Sequence, residues 1–133
     1  MHAFQHRPAP STTELALDQE WAHGFCYIAR QSRLDFGHDR RQPVDWRPVV
    51  SLKREGVDYF VLPGTRQVNP NFFHLTPRDA LFKQARSEAG DTYLCPRYEA
   101  LNRIDLKEIG LLHHPVRIRL MEWLRSGIAA SPR

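Results

Sequence analysis

Apolar residues along this chain cluster in short stretches of about four to six positions, separated by polar, glycine- or proline-bearing segments. Runs of that length without a three-to-four-residue period predict buried strands rather than amphipathic helices. Phe25-Cys26-Tyr27-Ile28-Ala29 is the first, followed by Pro48-Val49-Val50-Ser51-Leu52 and by Val57 through Leu62. Between the last two lies Lys53-Arg54-Glu55-Gly56, short, polar and closed by glycine, which predicts a hairpin. Phe72 to Leu75 and Thr92 to Cys95 read as further strands. Tyr98 to Ile104 and the pair Ile109-Gly110 read as the last short ones.

Helical signals occur in three places. Ser11 and Glu14 have capping-box spacing, and Leu15, Leu17 and Trp21 give a partial apolar face, so a short helix is expected from Thr12 to about Trp21. Thr76-Pro77 with Asp79 repeats the start signal. It predicts a second helix through Ala80, Leu81, Gln84, Ala85 and Glu88 that stops at Gly90. Pro115 opens a terminal helix with Val116, Leu120 and Leu124 on one face and Arg117, Arg119 and Arg125 off it. Many short strands and few helices predict a mainly β fold with small helices, built as a small barrel. Residues 24–127 form the expected domain, flanked by a tail and short helix over 1–23 and a tail over 128–133.

A chain of 133 residues suits one domain with one core. No apolar run approaches the roughly 20 residues of a membrane span. Met1 to Pro10 lacks the apolar stretch of a signal peptide, so the expected location is the cytoplasm. The two cysteines, Cys26 and Cys95, sit among apolar neighbours and are expected to be buried, reduced thiols. No CxxC or Cys/His pair has ligand spacing. The adjacent His113-His114 cannot face one ligand from a helix and read as a turn and cap. Neither a metal nor another cofactor is expected. The net charge of +4 is compatible with a polyanionic partner without requiring one.

The stretch from Arg30 to Trp46 is polar, carries Gly37 and Pro43, and is too hydrophilic for core. A loop of that length in a compact domain is a candidate for function. Immediately after it comes Arg47-Pro48-Val49-Val50, and the next strand closes on Val61-Leu62-Pro63-Gly64-Thr65. Their order after Gly24 to Tyr27, with the hairpin between them, resembles the MazF/PemK/Kid toxin family. Tyr93 to Tyr98, Ile104 and Ile109-Gly110-Leu111 continue the resemblance as the strand, turn and terminal helix of that family, and it covers about Gly24 to Arg125.

The resemblance implies an SH3-like barrel of the MazF/PemK/CcdB type with a C-terminal helix, acting as a homodimer. It implies a metal-independent endoribonuclease that cuts single-stranded RNA at short sequences, and a cognate antitoxin whose acidic tail covers the active groove. In such a reaction the ribose 2′-OH attacks the neighbouring phosphorus. The protein must accept one proton, donate another and stabilise phosphorane charge. A planar, permanently charged guanidinium suits the last task.

By the resemblance, Arg47 is the catalytic arginine and Thr65 the catalytic threonine. Arg47 opens one strand of the hairpin and Thr65 closes the other, so an antiparallel pair can bring them to one barrel end. The family's acidic residue before Arg-Pro has its nearest equivalent in Asp39, with Asp45 second, and His38 could act as a base because histidine titrates near neutrality. Arg40, Arg41 and Arg66 would line a basic groove, with Phe36, Trp46 and Phe73 as stacking platforms. Plainer roles stand beside these: a surface arginine at position 47, a turn-capping Thr65, a solvated His38, and Phe36 and Trp46 packing the loop. A silent barrel of the same fold that binds nucleic acid or a protein target such as gyrase is the alternative, and a small interaction domain the third reading.

Overall fold

A computed structural model describes residues 24–37, 44–83 and 90–126. The expected helix over 12–21, the tails, and His38, Asp39, Arg40 and Arg41 lie outside the described residues, as do 84–89. Among the described residues eight strands follow one another: β1 (Phe25–Arg30), β2 (Trp46–Glu55), β3 (Asp58–Thr65), β4 (Phe73–Leu75), β5 (Ala80–Phe82), β6 (Thr92–Leu94), β7 (Glu99–Asn102) and β8 (Leu106–Leu112). An α-helix, α1 (His114–Arg125), follows β8. The strands form one curled antiparallel sheet in the order β4-β6-β3-β2-β1-β8-β5, with β7 also on β3. The expected mainly β architecture with a C-terminal helix is what the chain adopts.

β2 and β3 read as continuous apolar runs because both faces of the sheet are covered. One face carries Cys26, Val50, Leu52, Leu62, Leu75 and Leu94 against Val116, Leu120 and Leu124 of α1. The other carries Tyr27, Ala29, Val49, Val61 and Leu106, closed by Leu34 and Leu101. Cross-strand partners obey this division: Cys26 stands opposite Val50, and Tyr27 opposite Val49. The helix was expected from its apolar spacing, and Val116, Leu120 and Leu124 are its buried residues. His113 stands at its N-cap position without a side-chain cap, so the turn is set by Pro115 at the helix start.

Three expectations change. The β2–β3 hairpin is tighter than expected: Lys53, Arg54 and Glu55 belong to β2, and Glu55 pairs with Asp58 around Gly56-Val57. Gly56, at φ +63°, supplies the backbone conformation that turn needs. The helix from Thr76 does not propagate through its first described residues. Its capping box forms, with the Thr76 hydroxyl accepting from the Arg78 N–H and the Asp79 carboxylate accepting from the Thr76 N–H, yet only the 3-10 turn Pro77–Asp79 follows. Ala80 to Phe82 then pair with β8, whose ladder outweighs local helix propensity. Ile104 lies in a 3-10 turn and is 86% exposed, and Ile109-Gly110-Leu111 runs within β8 rather than in a turn.

The β5–β8 contact is close because Gly110 has no side chain. A Cβ there would lie 2.6 Å from the Leu81 carbonyl oxygen and 3.2 Å from the Phe82 Cα. Gly110→Val is therefore expected to push β5 away and cost about 1–3 kcal/mol, read as a lower urea midpoint.

Both cysteines are free and buried. Burial pushes the Cys26 thiol up from 9.0 to about 12, because a thiolate there would lose its hydration. The folded state therefore holds the neutral thiol more strongly than the unfolded state does. That contribution is complete below pH 9 and is lost as pH rises towards 12. Native protein is expected to leave Cys26 unlabelled by a thiol reagent at pH 8, whereas unfolded protein labels fully.

Candidate active site

Two prolines decide where the central strand pair parts. β2 and β3 are in register through Val50 opposite Leu62 and Val49 opposite Pro63. The next positions are Pro48 and Gly64, then Arg47 and Thr65. Proline has no N–H to donate, so Pro48 and Pro63 cannot extend the ladder as other residues would. β3 passes to a new neighbour instead: the Cys95 N–H donates to the Pro63 carbonyl at 2.8 Å, and Gly64 and Thr65 pair with Leu94 and Tyr93 of β6. The ladder ends where the register sets Arg47 beside Thr65, on the face shared with Ala29 and Val49.

Arg47 is buried, at 5% exposed, not the surface arginine of the plainer reading. Its Nη1 donates to the Gly64 carbonyl at 3.2 Å, across the gap the prolines leave. Its Nε donates to Oε1 of Gln31, in the 3-10 turn Gln31–Arg33 that follows β1. Gln31 in turn donates through Nε2 to the Phe36 carbonyl at 2.6 Å, which ties the amide to the loop. The guanidinium carbon lies 5.1 Å from the centre of the Phe36 ring. An amide, a carbonyl and a ring face offset the loss of water around a cation that cannot neutralise itself.

The loop holding these groups is fixed from the far side. Both oxygens of the Glu99 carboxylate accept backbone N–H groups, from Asp35 at 2.7 Å and Phe36 at 2.9 Å. Phe36 packs on Phe72 with ring centres 6.1 Å apart. Gly37, at φ +92°, brings its backbone against the guanidinium: a Cβ there would lie 2.6 Å from Arg47 Nε and 2.7 Å from Cζ.

Thr65 is also buried, at 5% exposed. Its Oγ1 accepts from the Gln67 N–H at 3.1 Å, the local turn bond expected of a threonine at a strand end. Accepting that bond leaves the hydroxyl proton to donate elsewhere. The turn role and a substrate role are compatible in one side chain. A guanidinium and a hydroxyl thus stand at neighbouring register positions where two strands diverge, a pairing suited to binding a tetrahedral oxyanion.

No protein-family model matches the chain, and no curated protein matches it either. Solved structures do. The Mycobacterium tuberculosis toxin MazF-mt6 is similar with a TM-score of 0.56 at 20% identity, over 80% of this chain and 95% of that one. The chain has a MazF-like fold. An endoribonuclease in complex with its cognate antitoxin, from a mycobacterial species, is similar with a TM-score of 0.53 at 16% identity, over 87% of this chain and 99% of that one. The resemblance read from the sequence holds at the level of architecture.

Within this MazF-like fold the other expected site residues divide. Phe36 joins Arg47, as described. Trp46 precedes Arg47 on the same strand and so faces the opposite side of the sheet, where it is 41% exposed beneath the Arg30 guanidinium at 4.5 Å. Arg66 is exposed and lies over Gly90. The Asp45 carbonyl accepts from the Gln31 N–H at 2.9 Å, a backbone role. Phe73 is a correction: it is buried with its ring 5.4 Å from that of Trp123, so it is core and cannot stack a base. Phe72, one position earlier, takes the loop side instead. Sequence reading also missed Gln31 and Glu99, which carry no motif and matter only through the loop they fix. Among the described residues, no three His, Cys, Asp or Glu side chains gather as a metal site would require. No helix of the described residues is long and apolar enough to cross a membrane.

Proposed function

We propose that this chain is the toxin of a toxin–antitoxin pair, an endoribonuclease that cleaves single-stranded RNA without a metal. The observation that carries the reading is the convergence of Arg47 and Thr65 at the split end of β2 and β3. The two structural neighbours, a toxin and an endoribonuclease bound to its antitoxin, support it. The net charge of +4 suits a polyanionic substrate.

In the proposed reaction the ribose 2′-OH forms a bond to the adjacent phosphorus and loses its proton. The bond from phosphorus to the 5′-oxygen breaks, and that oxygen takes up a proton. The products are a 2′,3′-cyclic phosphate and a 5′-hydroxyl. Arg47 binds the non-bridging oxygens as their charge grows, exchanging the Gly64 carbonyl for phosphate. It also supplies a donor next to the leaving oxygen. Thr65 donates its hydroxyl to the same phosphate. His38 and Asp39 are the proposed proton acceptors, because Gly37, the residue before them, lies against the guanidinium. Arg40, Arg41, Arg66 and Phe36 are the proposed contacts to the rest of the strand, and Trp46, on the opposite side of the sheet, is left out of that set.

The same reading makes the partners a cognate antitoxin with an acidic segment, which would compete with RNA for Arg47, and a second copy of this chain. It places the protein in the cytoplasm, where messenger RNA is available. The test is incubation of purified protein with a mixed single-stranded RNA in EDTA, beside Thr65→Ala. Fragments ending in cyclic phosphate from the wild type, slowed at least tenfold in the variant, are expected. Intact RNA from folded, antitoxin-free protein would remove the nuclease reading in favour of a binding barrel.

A further inference from the structure

The line of side chains that holds Thr65 continues outward across the sheet. Thr65 on β3 stands opposite Tyr93 on β6, and Tyr93 stands opposite His74 on β4. Directly opposed residues of antiparallel strands project from the same face, about 5 Å apart. Thr65, Tyr93 and His74 therefore form one row from the strand split to the sheet edge, since β4 is the terminal strand.

The Tyr93 and His74 rings are stacked, with centres 4.6 Å apart and planes 7° from parallel. The Asp91 carboxylate, two residues before Tyr93 in the chain, lies against the imidazole, with Oδ2 2.8 Å from His74 Nε2. The His74 and Asp91 side chains are each 48% exposed. The core does not require this stack. Phe73, Leu75 and Leu94, on the same two strands, supply the buried side chains there. Edge strands usually carry charge or proline to discourage pairing, not a pair of flat rings braced by a carboxylate.

We propose that Tyr93 and His74 form a base-stacking shelf for the nucleotide adjoining the phosphate at Thr65. The proposal rests on the reading of Arg47 and Thr65 as the phosphate end of the site. A strand that runs outward from a phosphate at Thr65 along this row has its neighbouring ribose and base over β6, where the ring pair lies. Stacking on a π-face tolerates any base, and the His74–Asp91 pair adds polar groups beside it that can favour one base over another. Tyr93 and His74 are thus binding residues, one and two steps along the row from Thr65.

The experiment is fluorescence anisotropy with two labelled 2′-deoxy single strands of equal length. One carries mixed bases and the other is abasic throughout. Tyr93→Ala and His74→Ala should each weaken binding of the base-bearing strand roughly 5- to 150-fold, the ordinary worth of a base–aromatic stack. Both should leave the abasic strand unaffected, and His74→Phe, which keeps a ring, should retain most of the affinity. An equal loss on both strands would mean that the rings only brace the sheet, and no loss on either would mean that they meet no base. Either overturns the shelf, as does a wild type that does not distinguish the two strands. The ribo form of the mixed strand, run alongside, separates the two readings. Cleavage with base-independent variants sinks the shelf alone, and base-dependent binding without cleavage sinks the nuclease alone.

Discussion

Arg47→Ala is expected to slow RNA cleavage by about 10²- to 10³-fold, the usual loss when a preorganised donor to a developing oxyanion is removed. Arg47→Lys should recover little of it. An ammonium cannot span two phosphate oxygens in a plane, and its single nitrogen cannot serve both Gln31 and Gly64 from the present geometry. The fold should survive at some cost. Removing the guanidinium leaves the Gln31 and Gly64 oxygens short of a donor in a buried place, about 1–3 kcal/mol. Kinetics should therefore be measured beside urea unfolding at a temperature where both variants are folded. A rate that falls in proportion to the unfolded fraction would assign Arg47 a structural role only.

The second large effect is expected from a residue that does no chemistry. Gly37→Ala meets two obstacles at once: a positive φ of +92° and a guanidinium within contact distance of the new methyl group. The loop must give way or Arg47 must turn, and either displaces the donor from its place over the split. Cleavage should fall at least tenfold, since displacements of about 1 Å near a reacting centre cost on the order of 10²-fold. Gly56→Ala provides the control. It carries the same kind of backbone strain at φ +63°, with nothing within 4 Å of the added atom, and sits in the hairpin turn at the other end of β2. It should lower stability by about 1 kcal/mol and leave cleavage unchanged. Equal activity losses in the two variants would show that backbone strain, not the contact with Arg47, is responsible.

Much of this arrangement was legible before any coordinates. β1, β2, β3 and α1 stand out in the sequence because each buries side chains along its length, so its apolar residues cluster or fall at helical spacing. Arg47 and Thr65 were singled out by family resemblance and by hairpin connectivity. What brings them together physically, the two prolines that end the ladder, is visible in the sequence only once the register is known.

The rest was hidden for reasons of the same kind. The start signal at Thr76 is real, since its capping box forms, but a capping box fixes where a helix begins and not how far it runs. The open edge of β8 claimed Ala80 to Phe82. Phe72 and Phe73 are alike in composition and differ only in which side of a short strand each faces. Gln31, Glu99, Tyr93 and His74 come from segments far apart in the chain. Their proximity depends on the β7 and β6 pairings with β3, on the β6–β4 pairing and on the loop after β1, which local pattern cannot supply.

If Arg47 and Thr65 stabilise attack by the substrate's own 2′-hydroxyl, removing that hydroxyl must protect the bond beside it. The most direct measurement maps one cut site in a defined RNA and repeats the digestion with a single 2′-O-methyl ribose on the 5′ side of that bond. This bond is expected to stay intact while other cut sites in the same strand are cleaved as before. Cleavage at the blocked bond, leaving a linear phosphate, would show that water is the nucleophile and would contradict the account.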